Sequence, residues 1–179
     1  MKHFKYQTPE TFDEAGELLK AKHPGEAAVM AGGTDLLGVL KDELLLEYPE
    51  TIVALREIPD TAYIKEENGA VKIGAMTTLD TLEEDAVLQA DNLKAVAKAA
   101  YSVASPIIRT RATIGGNLCQ DVRCWFYRYP GQVGGTLPCM RKGGSECFAI
   151  RGDNRYHSVF GGMKACATPC SSECPAGTD

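Results

Sequence analysis

The chain carries 19 basic and 24 acidic residues in a length of 179, for a net charge of −5. That length suits one domain or one and a half and is enough to bury a core, while the negative balance excludes a nucleic-acid surface and a polybasic membrane patch. With no long apolar run and no charged-then-apolar leader, neither a membrane span nor a signal peptide is expected; partners should be proteins and small molecules, and the compartment the cytoplasm.

Phe4 and Tyr6 alternate with polar residues before Thr8-Pro9, the pattern of a strand. Thr11-Phe12-Asp13-Glu14 then has capping-box spacing ahead of Ala15, Leu18 and Leu19 at helical intervals, and Pro24-Gly25 is expected to close that helix. Ala27 to Ala31 reads as a second strand, Asp35 to Leu40 as the start of a short helix, and Thr51 to Leu55 as a third strand. Tyr63 to Glu66 and Val71 to Ile73 flank Asn68-Gly69, a pair suited to the positive φ angles of a tight hairpin turn. Thr78 is a candidate helix cap. Asn92 to Tyr101 is alanine-rich, with Leu93, Val96, Ala97 and Ala100 on one face, so a packed helix is expected, and Ser105-Pro106 is expected to end it.

Two glycine pairs stand out. Val29-Met30-Ala31-Gly32-Gly33-Thr34-Asp35-Leu36 places the first at the carboxyl end of an apolar strand, where open α/β sheets bind ligands. Adjacent residues without a Cβ can take positive φ and turn successive N–H groups toward an anion, with the Thr34 hydroxyl as a further donor and a helix N-terminus close by. The same residues also suit a plain strand-to-helix turn capped by Thr34 or Asp35. Arg111-Ala112-Thr113-Ile114-Gly115-Gly116-Asn117-Leu118-Cys119 holds the second pair, again beside a hydroxyl and now with an amide. Arg109 and Arg111 precede it, placed either to neutralise phosphate or to face water, with water favoured for at least one. The three glycines of a dinucleotide-binding turn and the GK[ST] ending of a P-loop are both missing, which argues against those nucleotide sites.

All seven cysteines lie between Cys119 and Cys174. Clustering of that kind, with an odd count, points to metal rather than to a disulfide framework. The stretch from Asp121 through Cys147 lacks helix or strand period, and so long a loop needs something to hold it. Thiolates suit iron–sulfur clusters and zinc alike.

The AGGT and TIGGN motifs, in this order and separation, resemble the FAD-binding module of the molybdenum hydroxylases, the xanthine dehydrogenase, carbon monoxide dehydrogenase and 4-hydroxybenzoyl-CoA reductase family. The resemblance spans roughly residues 2 to 165. It implies an α+β fold: a two-lobed FAD-binding module with a small βαβ lobe over 1–57 and a larger α+β lobe over 58–120. An iron–sulfur insertion, cysteine-rich and loop-rich, would follow over 121–165, then a cysteine-rich tail over 166–179. In the family the two motifs clasp the FAD pyrophosphate from two sides. Carried over, Gly32, Gly33, Thr34, Thr113, Gly116 and Asn117 would hold the pyrophosphate and ribityl end, lined by Ala31, Asp35, Leu36 and Gly115. Val103 and Ala104 fall where the family places residues against the flavin, although small apolar residues there also suit plain core. The Gly74-Ala75-Met76-Thr77-Thr78 stretch is similar to one near the flavin.

Cys124, Cys139 and Cys147 match three ligands of the 4Fe-4S cluster in the reductase branch of the family; the fourth position reads Asn154-Arg155-Tyr156-His157 here. Cys166 is the first choice for the fourth ligand and Cys119 the second, with zinc as the lesser metal and His157 read as an ordinary histidine. The tail, with Cys166, Cys170 and Cys174, is similar to the start of the iron–sulfur segments of the glutamate synthase small subunit and dihydropyrimidine dehydrogenase. A second cluster using Cys170 and Cys174 would need ligands from elsewhere. Family relatives add a C-terminal α+β domain for which 179 residues leave no room, so a shortened member or the front of a longer polypeptide is expected. The implied role is a flavoprotein subunit of an oxidoreductase that does not itself hydroxylate substrate. It would relay electrons between the iron–sulfur centres of a 2Fe-2S subunit beside a molybdenum-cofactor subunit and an acceptor such as NAD(P). The competing reading is a zinc- or cluster-stapled assembly module that has kept the fold and lost the flavin.

Overall fold

The structure is a computed structural model that describes residues 1–121 apart from Pro24 and Leu46, together with 123–128, 139–140, 144–150 and 152. It is a mixed α/β protein whose residues fall into two compact units, Met1–Leu118 and a second from Cys119 onward. Among the described residues no helix is long and apolar enough to cross a membrane.

The first unit opens with a parallel sheet of β1 (Lys5–Gln7), β3 (Thr51–Ala54) and β2 (Ala27–Met30), in that spatial order. Tyr6 and Ala28 both register on Ile52. Parallel neighbours need crossovers, supplied here by α1 (Phe12–Lys20) and α2 (Leu36–Lys41). Central β3 is buried at all four positions, which is why it reads as a nearly unbroken apolar run rather than an alternating one.

At the start of α1 the Thr11 hydroxyl accepts the Glu14 N–H at 3.1 Å, while the Glu14 carboxylate accepts the Glu10 N–H at 2.9 Å. Buried Ala15, with Leu18 and Leu19, packs against Val53 and Ile58. The helix stops at Lys20, ahead of Pro24-Gly25: the Ala21 N–H closes onto Glu17 and the Lys22 N–H tightens onto Leu19 at 3.2 Å, so the last turn is satisfied early.

The hairpin β4 (Ile64–Glu67) and β5 (Ala70–Ile73) turns through Asn68 and Gly69 at φ 53° and 76°. It covers a core of Leu79, Leu82, Leu88, Ala97, Ala100 and Ala112. These come chiefly from α3 (Leu79–Glu84) and α4 (Lys94–Ser102), where the two alanines of α4 are buried. Leu93, Ala97 and Ala100 form the inward stripe. Val96 shares that face, three residues after Leu93 and four before Ala100, but lies at its edge and stays 36% exposed. Ser105-Pro106 does not end α4, which stops at Ser102; Pro106 instead opens α5 (Pro106–Arg109), where its missing N–H costs nothing. The unit closes with α6 (Ile114–Leu118).

In the second unit α7 (Trp125–Arg128) and a 3-10 turn at Phe148–Ile150 are described. Cys124 and Ala149 are buried there against Phe126, Tyr127 and Cys147, and the Phe126 and Phe148 rings lie 6.1 Å apart. The Arg123 guanidinium donates to Gln120 at 3.1 Å and that of Arg128 to the Asp121 carbonyl at 2.9 Å.

Candidate functional site

Where β2 ends, the chain turns through Ala31, Gly32 and Gly33 into α2. Gly33 has φ 77° and is buried, and a Cβ built on it would lie 3.2 Å from Met30 Sδ. Its carbonyl accepts the Leu37 N–H at 3.0 Å, while Asp35 occupies the N-cap position of α2 and Leu36 is its first residue. Gly32 does not take positive φ. Its lack of a side chain serves close approach instead: a Cβ there would collide with the Arg111 carbonyl oxygen and lie 2.9 Å from the Arg111 carbonyl carbon and 3.2 Å from Ala112 Cα. The two motifs are therefore in backbone contact across the unit.

The second motif is a helical turn rather than a positive-φ turn, since Gly115 and Gly116 lie within α6. Thr113 is 4% exposed and its hydroxyl accepts the Gly116 N–H at 3.1 Å. A Cβ on Gly116 would sit 2.9 Å from that hydroxyl oxygen and 3.5 Å from Ala31 Cβ; one on Gly115 would sit 2.9 Å from the Ala75 carbonyl oxygen. Backbone bonds stitch this motif to its neighbour: Ile114 donates to Thr77, Gly115 to Ala75 and Leu79 to Ala112, each at 2.9 Å. Thr77 is buried and bonds both backbone groups of Tyr63, and the Thr78 hydroxyl accepts the Thr81 N–H at 3.2 Å as the cap of α3.

Donor bookkeeping separates the motifs. In the second, the N–H groups of Ile114, Gly115, Gly116 and Asn117 all have protein acceptors. In the first, among the described residues, those of Gly32, Gly33 and Thr34 have none, and the Thr34 side chain is exposed. Asn117 is half-buried and its side-chain amide likewise has no partner among the described residues. Gly32, Arg111, Thr113 and Thr78 line a polar cleft of about 360 Å³ together with Arg56 and Asp60. No motif singles out those last two; they follow the end of β3, and the rule that parallel sheets bind ligands beyond their carboxyl ends is the signal that finds them.

Arg109 neither faces water nor stands free to meet a phosphate. It is 5% exposed, pairs with Glu83 at 3.0 Å, and donates to the carbonyls of Val103 and Ala104 at 3.2 and 3.3 Å. Arg111 is exposed, and Ala104 is exposed with φ 48°.

Of the expected metal ligands, Cys124 and Cys139 are buried and Cys147 is half-buried, with Cys124 and Cys147 in one apolar cluster. Cys119 is exposed. Cys166, Cys170, Cys174 and His157 lie outside the described residues. Among the described residues no group of three or more His, Cys, Asp or Glu side chains is placed to hold a metal ion.

Within the first unit a parallel βαβαβ sheet and an α+β part thus meet backbone to backbone at the two glycine-rich motifs. Residues 2–149 match the family described as the FAD binding domain in molybdopterin dehydrogenase, and the chain belongs to that family. It is 36% identical over 118 residues to the nicotinate dehydrogenase FAD-subunit of Eubacterium barkeri, covering 66% of this chain and 39% of that protein. It is 32% identical over 156 residues to the carbon monoxide dehydrogenase medium chain of Hydrogenophaga pseudoflava, covering 87% of this chain and 50% of that one. The fold superposes with a TM-score of 0.62, at 35% identity, on a chain of the solved H. pseudoflava carbon monoxide dehydrogenase lacking the Mo-pyranopterin moiety of its cofactor, covering 68% of this chain and 41% of the other. The chain thus spans half or less of the length of these relatives.

Proposed function

We propose that this chain carries FAD in an electron-transfer role within a molybdenum hydroxylase-type oxidoreductase, alongside subunits bearing the molybdenum cofactor and 2Fe-2S centres. The observation that carries the reading is the contact of Gly32 with the Arg111 backbone, which brings the two motifs to one place. The residues fit a diphosphate: three successive N–H groups at Gly32, Gly33 and Thr34 lack protein acceptors among the described residues. The Thr34 hydroxyl and Asn117 amide would add side-chain donors, and successive N–H groups at a turn make an anion-binding concavity. In this division of labour Thr113, Gly115 and Gly116 shape the second wall, Ala31, Asp35 and Leu36 line the first, and Ala104 lies toward the flavin. Bound FAD supplies the exchange between single electrons and electron pairs that links iron–sulfur centres to an acceptor such as NAD(P), while the protein sets its orientation and potential.

The cysteine segment is read as a second redox element, a 4Fe-4S cluster on Cys124, Cys139, Cys147 and Cys166, with a zinc staple as the alternative. Support comes from the packing of Cys124 and Cys147 in one cluster and from the preference of soft thiolates for both metals. The cytoplasm is the compartment this reading fits, since thiolate ligands persist where thiols stay reduced.

The test is an absorbance spectrum of anaerobically purified protein, before and after FAD reconstitution. Flavin bands near roughly 370 and 450 nm are expected. Their absence after reconstitution would leave an assembly module without flavin, and metal analysis of the same sample distinguishes iron from zinc.

A further inference from the structure

Arg109 is the most deeply buried cation among the described residues, and neither motif accounts for it. A buried charge is costly unless paired and hydrogen-bonded, so its partners show what it is for. One is a carboxylate, Glu83 of α3 at 3.0 Å, itself 26% exposed. The others are the consecutive carbonyls of Val103 and Ala104, and the guanidinium lies 5.1 Å from the centre of the Tyr101 ring. Ala104 has φ 48°, a left-handed conformation disfavoured for any residue with a Cβ. Such a conformation persists only where the surroundings over-determine it. Here the guanidinium does so: its Nη1 alone donates to the peptide carbonyls on both sides of the Ala104 nitrogen and Cα, while its Nε is held by Glu83. The same short helix is tied forward, since the Ile108 carbonyl accepts the N–H groups of Arg111 and Ala112 at 3.0 and 2.8 Å. The next contact is that of the Arg111 carbonyl with Gly32.

We infer that Arg109 is a positioning residue for the flavin site: anchored on Glu83, it locks Ala104 in its left-handed conformation and fixes the approach to the second glycine motif. This rests on the reading that the chain binds FAD with Ala104 toward the flavin. A lysine cannot replace it, because a single ammonium nitrogen cannot occupy both the Nε position on Glu83 and the Nη1 position between the two carbonyls, which the guanidinium fixes in one plane.

The test titrates FAD into the full chain, by quenching of flavin fluorescence, for wild type, Arg109→Lys, Ala104→Gly and the double variant. Charge-assisted hydrogen bonds of this kind predict that Arg109→Lys weakens FAD binding about tenfold. Adding Ala104→Gly should restore most of that loss, because glycine takes φ 48° without the guanidinium to hold it; a merely structural arginine would not be rescued there. Wild-type affinity in Arg109→Lys, or a loss that Ala104→Gly leaves untouched, overturns the inference. Should Arg109→Lys not fold, Glu83→Gln takes its place with the same rescue and the same two overturning results. Wild type that binds no FAD sinks the flavin reading itself, and that titration is read first.

Discussion

Gly32 and the carbonyl of Arg111 touch, and no side chain can come between them: even a methyl group on Gly32 would overlap the oxygen. The neighbour is backbone, held in turn by the bonds from Arg111 and Ala112 to Ile108. It therefore cannot swing aside as a flexible side chain would.

Gly32→Ala should consequently force the two motifs apart at this point. Overpacking of this kind destabilises by about 1–3 kcal/mol, and thermal unfolding should show a drop in midpoint of several degrees. FAD retention should fall in the same variant. An unchanged midpoint would mean that the contact is looser than the structure has it.

Gly33→Val and Gly116→Val should each abolish FAD retention for different reasons. At Gly33 a β-branched residue meets φ 77° and the Met30 sulfur; at Gly116 it meets the Thr113 hydroxyl that caps the turn. Any metal held by the proposed cysteine site should be retained in both, since the cysteines lie in the other unit. Stoichiometric FAD in either purified variant would put the pyrophosphate elsewhere.

Ligand linkage offers an independent check. FAD at about 100 times its dissociation constant should stabilise wild type by roughly 2.7 kcal/mol. Differential scanning fluorimetry should therefore show an upward shift in wild type and none in Gly33→Val.

Leu82→Ala tests the second-lobe core. Leu82 is fully buried among Leu79, Leu88, Ala97 and Ala100, so truncation should cost about 2–5 kcal/mol by leaving a cavity. By contrast Thr11→Ala, which removes only the cap of α1, should cost about 1 kcal/mol. Denaturant titration of the pair checks the ranking.

Much of the fold was legible because it is locally encoded. The Thr11 cap, the Asn68-Gly69 hairpin and the apolar run of β3 each draw their signal from a few adjacent residues, and each forms as expected. Ends were less legible: α1 stops before Pro24-Gly25 and α4 before Ser105-Pro106, because local carbonyl pairing closes a helix before a breaker must. Val96 does lie on the face it shares with Leu93, Ala97 and Ala100, but how far each is covered was not legible, since Val96 at the edge stays 36% exposed.

The sequence by itself determined that two glycine motifs exist, which elements flank them, and that the chain carries the signature of a flavin-binding family. What the glycines are for was decided by tertiary structure. Of the four, Gly33 alone takes positive φ; Gly32 and Gly115 are required by the backbone that lies across from them, and Gly116 by the Thr113 hydroxyl of its own turn. A residue's φ preference is a local property, but the atom that would fill the place of its Cβ belongs to a segment about eighty residues away, between Gly32 and Arg111. The same is true of Arg109, whose partner Glu83 lies 26 positions earlier. Charge pairing and close approach are distance effects in space, and spacing along the chain carries no measure of them until the core has folded.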